Sequence, residues 1–302
     1  MYTGWKFTCY IIPVKFYWLF KVFVESIFLV LICSRGGYLV RFIDKLLTKM
    51  KDVKKNATTV ESFHYTYPNN NYEMIRINQN SGDVHIRRSS DDQIHVNYDV
   101  NLLNFSKLEK SIELQFQNKC VFFTTSNGFG INNEFYLGVV NIYIEIPDQH
   151  YHCLEIAVKN GSIVVDDFTI DDINIKGLTG NVILKKLVSS KITVENTSGD
   201  TYIESVQANE IRVNSKNGHC ETAGSFKDFR VNVLNGNVRV DAQSIDSKII
   251  HIAAFNGAIK LGICKGLDVK GKMNTNFGEL INSVEDVALK IDTDQKVLKM
   301  AS

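Results

Sequence analysis

Residues 154–203 read LEIAVKNGSIVVDDFTIDDINIKGLTGNVILKKLVSSKITVENTSGDTYI, and this stretch decides the fold. Three times a small polar residue and a glycine, Asn160-Gly161, Thr179-Gly180 and Ser198-Gly199, separate two short apolar runs. Apolar side chains fall seven and five residues before each glycine and two and four after it, with few exceptions. That is the two-residue period of a strand, with both runs facing one core.

The unit continues through Asn217-Gly218, Asn235-Gly236, Asn256-Gly257 and, less perfectly, Phe277-Gly278, at intervals of 19, 19, 19, 18, 21 and 21 residues from Gly161. Inward positions before the later glycines are Ile211 and Val213, Phe229 and Val231, Ile250 and Ile252; after them come Cys220 and Thr222, Val238 and Val240, Ile259 and Leu261. A third apolar residue often stands seven after the glycine, as at Phe168, Leu187, Val206 and Cys264, where a turn toward the next unit has to be pinned. A two-stranded unit cannot bury its own apolar face, so units must stack. Four inward side chains at ~1.5–3 kcal/mol each contribute ~6–12 kcal/mol per rung before chain entropy is subtracted.

The reading is an all-β, parallel-type solenoid of two-strand rungs about 19 residues long. An antiparallel β-sandwich of hairpins is the alternative, because Asn-Gly between alternating runs is also a hairpin signal. The constant step favours stacking, since rungs 4.7–4.9 Å apart hold equivalent residues above one another while sandwich loops vary freely. Residues 72–100 carry the same unit, with Ile75, Ile77, Val84 and Ile86 inward and Ser81-Gly82 at the turn. The 79 residues from Gly82 to Gly161 are close to four repeat lengths, and hold either degenerate rungs or a small sandwich-like cap. The expected division is thus 1–55, an N-terminal helical segment, and 56–302, a β-repeat domain with an irregular part at 72–153 and regular rungs at 154–290.

Residues 16–34, FYWLFKVFVESIFLVLICS, approach the length of a membrane-spanning helix, interrupted by Lys21 and Glu25. Residues 35–55 place Leu39, Phe42, Ile43, Leu46, Leu47 and Met50 at steps of one to four residues among lysines and arginines, a basic amphipathic pattern. A membrane anchor is the preferred reading; an organelle presequence, implying a mitochondrial location, and a plain capping helix are the others. Formal net charge is +1, yet ten Lys/Arg against three acids give residues 1–55 a local +7, leaving the body mildly acidic. Basic residues interleaved with an apolar run do not make a nucleic-acid footprint, so no nucleic-acid partner is expected.

In this body the turns at residues 75–96, IRINQNSGDVHIRRSSDDQIHV, at 144–165, IEIPDQHYHCLEIAVKNGSIVV, and the later TGNV, SGDT, NGNV and NGAI resemble the putative-adhesin family of β-strand-repeat proteins, over about residues 72–290. The resemblance implies a β-solenoid-like domain, widespread in bacteria beside membrane segments, whose function is unknown and for which adhesion has been proposed. It brings no catalytic or ligand residues to transfer. The long aromatic and basic N-terminus departs from the family pattern.

Chemistry is sparse. The six cysteines form no CxxC pair and no His/Cys cluster at zinc spacing, and buried free thiols are expected. Four Asn-x-Ser/Thr sequons, at Asn56, Asn104, Asn160 and Asn196, do not establish secretion in a chain so rich in these residues. His150, His152 and Cys153 cluster, but a metal needs a further ligand and none is evident nearby in sequence. Asp166-Asp167 and Asp171-Asp172 lack the Gly-rich calcium nonapeptide and read as solvated corners. Ser198-Gly199-Asp200 reads as a turn and not as a nucleophile elbow. No catalytic, cofactor-binding or metal-binding residues are therefore assigned, and no cofactor. The expected function is a non-enzymatic structural or interaction protein, tethered at a membrane through residues 1–55 and presenting the solenoid wall to a protein or glycan. A soluble lumenal or organelle-matrix carbohydrate-active enzyme is the alternative.

Overall fold

The computed structural model describes residues 60–102, 112–117, 119–125, 138–243, 249–263, 270–282, 289–292 and 297–300. The expected helical segment at 1–55, with its anchor, presequence and capping-helix readings, lies outside these residues, as does Cys264. In chain order the strands are β1 (Val60–Pro68), β2 (Met74–Ser81), β3 (Val84–Arg88), β4 (Gln93–Leu102), β5 (Ile112–Gln117), β6 (Cys120–Thr125) and β7 (Gly138–Ile146). There follow β8 (Tyr151–Asn160), β9 (Ile163–Thr179), β10 (Val182–Ser198), β11 (Thr201–Asn217) and β12 (Cys220–Asn235). The chain continues through β13 (Val238–Ala242), β14 (Ile249–Asn256), β15 (Ile259–Ile263), β16 (Lys270–Phe277), β17 (Leu280–Asn282), β18 (Leu289–Asp292) and β19 (Val297–Met300). No helix among the described residues is long and apolar enough to cross a membrane.

The strands from β8 to β17 pair with one another only in parallel, and β10 lies on β11 with Val182 beside Thr201 and Ile192 beside Ile211, a shift of 19 residues. The repeat is a solenoid, and the antiparallel sandwich is not formed. Antiparallel pairs are confined to β1–β4, β4–β7 and β5–β6 at the N-terminal end, and to β16–β19 and β18–β19 at the C-terminal end.

Each coil of 18 or 19 residues has three inward pairs where the sequence shows two. In β9 these are Ile163 and Val165, Phe168 and Ile170, and Ile173 and Ile175, all at most 2% exposed. Two consecutive outward residues, Asp166-Asp167 and Asp171-Asp172, separate the pairs, and each such doublet breaks the alternation that a straight strand keeps. The first break uses a left-handed residue, with φ of +66° at Asp167, +48° at Lys186 and +55° at Ser205. The 18-residue coil omits this residue: Ser205 has no counterpart, and Gly224 lies beside Val206 so closely that a Cβ on it would stand 2.3 Å from the Val206 carbonyl oxygen. The 21-residue coils lengthen the same side, since six residues separate Ala242 from Ile249 and Ile263 from Lys270 where three separate Gly224 from Asp228.

The glycines form one column. Gly199 donates its N–H to the Asn217 carbonyl at 2.9 Å, has φ +131°, and a Cβ there would meet the Gly180 carbonyl oxygen at 2.1 Å. Only glycine both adopts this backbone and admits the neighbouring coil so near. The residue after each glycine builds a second column. Asn181 Oδ1 accepts the Asp200 N–H at 2.9 Å, Asp200 Oδ1 that of His219 at 2.7 Å, His219 Nδ1 that of Asn237 at 3.0 Å, and Asn237 Oδ1 that of Ala258 at 2.9 Å.

The 79-residue gap turns out to be an excursion and not four rungs. β2 lies between β6 and β8, with Ile75 beside both Val121 and Leu154, and β3 lies between β7 and β9. The coil at Gly82 therefore rests directly on the coil at Gly161, and the chain between them adds one more coil, β6 and β7, on the far side. β4 and β5 then run antiparallel along β7 and β6, and β1 along β4. These strands cover the rung edges that would otherwise offer unpaired backbone groups to other chains. The asparagine-type column crosses the joint unbroken: Asn141 Oδ1 accepts from Asp83 N–H at 3.0 Å, and Asp83 Oδ1 from Ser162 N–H at 2.7 Å.

Candidate functional site: a groove along the coils

The residues four, three and two before the glycines line a groove parallel to the stack. Its volume is about 700 Å³, and it runs from Asn78, on the Gly82 coil, to Asn274 and Asn276, on the Gly278 coil. Eight coils at 4.7–4.9 Å spacing give it a length of ~33 Å. The groove exists because the inward residue three before the glycine is often small: Gly177, Ser215 and Ala254. Gly177 is kept free of a side chain by the next coil, since a Cβ there would stand 2.8 Å from Asn196 Oδ1.

Apolar side chains rise along one wall. Leu178, Leu234 and Phe255 are 44–48% exposed, which is unusual for large apolar groups at one repeating position. Along the other wall stand the amides Asn78, Asn214, Asn232 and Asn274, with the Asn232 amide donating to Asn214 Oδ1 at 3.1 Å. Beneath them Asn196 donates to the carbonyls of Gly180 and Gly199 at 3.1 and 3.0 Å. Asn196 Oδ1, Ser215 Oγ and Asn274 Oδ1 have no partner within the protein, which costs stability wherever such atoms are withdrawn from water. Among the described residues Glu195 is the only carboxylate lining the groove, and it sits 3.7 Å from Lys176 Nζ.

The sequence candidates lie elsewhere. Ser198-Gly199-Asp200 is a turn whose Asp200 belongs to the polar column and accepts from Tyr202 Oη at 3.1 Å. Asp167 is the left-handed bend and receives Arg88 Nη2 at 3.3 Å, while Asp166 Oδ1 has no partner. Cys120, Cys153 and Cys220 are free thiols, and burial pushes Cys220 up to about 12. The register of β8 on β9, Tyr151 beside Ile170, supplies the neighbour that sequence could not see: Asp171, whose carboxylate meets His150 Nε2 at 2.8 Å and His152 Nδ1 at 3.0 Å. Hydrogen bonds from His152 and His150 hold the Asp171 carboxyl below the usual range. Sequence reasoning also missed the groove, whose only signal is the recurrence of Leu178, Leu234 and Phe255 two residues before a glycine.

Comparison with known proteins agrees with this architecture. The chain is 28% identical over 277 residues to the uncharacterized protein YvlB of Bacillus subtilis, covering 89% of this chain and 75% of that protein. The crystal structure of a putative adhesin from Bacteroides fragilis superposes with a TM-score of 0.52 at 18% identity, over 74% of this chain and 97% of the other, a likeness of fold alone. The sequence profile of Toastrack DUF4097 matches residues 72–298, and with coils, caps and columns laid out over that same span, the chain belongs to the Toastrack DUF4097 family.

Proposed function

We propose that this protein is a non-enzymatic binding protein whose groove receives one extended glycan chain lying along the coils. The supporting observation is a continuous trough whose one wall sets Leu178, Leu234 and Phe255 among Lys159, Thr197 and Lys216, and whose other wall is rich in asparagine amides. Sugar rings have apolar C–H faces that suit Leu178, Leu234 and Phe255, and hydroxyls that pair with amides. Adhesion, the role named for the Bacteroides fragilis structure, is in keeping with such a surface. The carbohydrate-cleaving alternative ordinarily uses two carboxylates flanking the scissile bond, and among the described residues the groove offers Glu195, which favours the binding reading. A tether through residues 1–55 would hold the groove at a membrane surface, and this part of the reading rests on the apolar run at 16–34.

The test is calorimetric titration with linear β-linked gluco- and chito-oligosaccharides of two to six sugars. Affinity should climb with length, and Phe255→Ala and Leu178→Asp should each weaken the hexasaccharide. Absence of length dependence, or binding untouched by both variants, would rule the groove out as the site. For the tether, the full chain should stay in the membrane pellet after alkaline extraction, and release into the supernatant would refute it.

A further inference from the structure

We infer that His150, His152 and Asp171 form a surface site for a single divalent transition metal ion of the zinc type, separate from the groove. Two imidazole nitrogens and a carboxylate oxygen are a donor set that suits zinc, which takes three protein ligands in open sites and leaves a fourth position to solvent. One atom from each of the three residues falls within a common 4.8 Å. Both histidine nitrogens already point at one carboxylate, His150 Nε2 to Oδ1 at 2.8 Å and His152 Nδ1 to Oδ2 at 3.0 Å. A tetrahedral ion with bonds of ~2.0–2.2 Å holds its donors ~3.4 Å apart, so each imidazole–carboxylate pair has to open by roughly half an ångström and a pair at the 4.8 Å limit has to close by about 1.4 Å, rotations open to exposed side chains.

The backbone holds the donors in place before any ion arrives. His150 and His152 flank Tyr151, whose ring is 2% exposed and whose hydroxyl donates to the Pro147 carbonyl at 3.0 Å, so the two imidazoles are turned outward together. Asp171 is brought to them by the pairing of Tyr151 with Ile170 and of Cys153 with Asp172, and its carbonyl receives the Ser189 hydroxyl at 2.9 Å. His150 and His152 lie on one face of the strand because they are two residues apart, and the coil shift of 19 residues sets Asp171 beside His152. The side chains are 42–60% exposed, so an ion reaches them without any opening of the fold.

The repeat itself fixes the stoichiometry. Coil by coil, the counterparts of His152 and Asp171 along the column are Ser190, Asn209 and Lys227, and those of His150 are Thr169, Val188, Gln207 and Ser225. None of these restores a two-histidine, one-carboxylate set, so among the described residues this column offers one such site. A pair of ordinary histidine–aspartate hydrogen bonds is the competing account, and it predicts no ion at all.

The experiment is calorimetric titration of the chelator-treated, untagged full chain with zinc chloride. His152→Ala and Asp171→Asn are compared with His95→Ala, whose ring instead meets Asp91 at 2.9 Å. One zinc-binding event is expected that both site variants weaken by at least the ~10-fold that loss of an outer-shell partner alone produces, with His95→Ala unchanged. Cobalt should bind the same chain with the visible absorption of a low-symmetry, four-coordinate ion, lost in His152→Ala. The His152 and Asp171 side chains are 60% and 42% exposed, so the urea midpoints of their variants should match wild type, and the midpoint of His95→Ala, whose ring is only 16% exposed, is measured beside them to show that the control is folded. Wild-type protein that takes up no zinc, or site variants that bind as wild type does, would overturn the assignment.

Discussion

The regular coils from Gly161 to Gly278 and the N-terminal end from Val60 to Ile146 obey the same side-chain rules along different chain paths. In the regular part each coil follows its neighbour in sequence, so every contact repeats at 18, 19 or 21 residues. At the N-terminal end the coil of β2 and β3 is laid down first and is then enclosed by β6 and β7 on one side and β8 and β9 on the other. A Cβ on Gly82 would meet the Val140 carbonyl oxygen at 2.0 Å, as one on Gly199 would meet Gly180 at 2.1 Å. The stack is therefore defined by what lies above and below each coil and not by the order in which the chain visits it.

This equivalence can be broken by paired substitutions, one in each region. The largest effect is expected for Gly199→Ala and Gly82→Ala, each combining a strained φ with a backbone clash, at about 3–5 kcal/mol. Denaturant unfolding should show both, and a Gly82→Ala variant as stable as wild type would mean that the joint is looser than the stack. Next come Ile203→Ala and Ile142→Ala, both fully buried, each expected to cost about 2–5 kcal/mol by the same measurement. Asp200→Ala and Asp83→Ala remove one acceptor of the polar column and should cost about 1–2 kcal/mol apiece. In a repeat stack such losses need not unfold the whole chain at once, so hydrogen exchange at His219 and Ser162 should report the local opening.

The smallest expected effect is chemical. Burial raises the thiols of Cys220, Cys120 and Cys153 alike, so exposure and not acidity sets the order in which they react, and Cys220 and Cys120, one in each region, are the buried pair. Native-state alkylation followed by peptide mapping should label the part-exposed Cys153 before either. Early labelling of Cys120 but not Cys220 would show the N-terminal coil opening independently.

How much of this could be read from sequence follows from which signals are periodic. The glycine column and the inward pairs at seven and five before, and two and four after, were legible because each position keeps one character. The third inward pair was only half visible, since its second member is Ile170, Ser189, Ala208 and Phe226 in successive coils, with Gly224 giving up volume beside Phe226. The polar column was hidden because Asp83, Ser162, Asn181, Asp200 and His219 share an acceptor atom and not a residue type. The placement of Gly82 against Gly161 was invisible, because a separation of 79 residues is set by the excursion and mimics a multiple of the repeat. Asp171 reaches His150 and His152 only through the register, and no motif spacing encodes that.

The side of the coil that follows the left-handed bend acts as an expansion joint. It absorbs the loss of Ser205's counterpart in three coils and the three residues that two of those coils then add, while the glycines stay stacked and the groove positions stay in file. Variation in chain length is thereby channelled to one flank of the molecule. A change of chain length between Gln243 and Ile249 should therefore leave the stacked glycines and the groove in place, because both are set by pairings outside that segment.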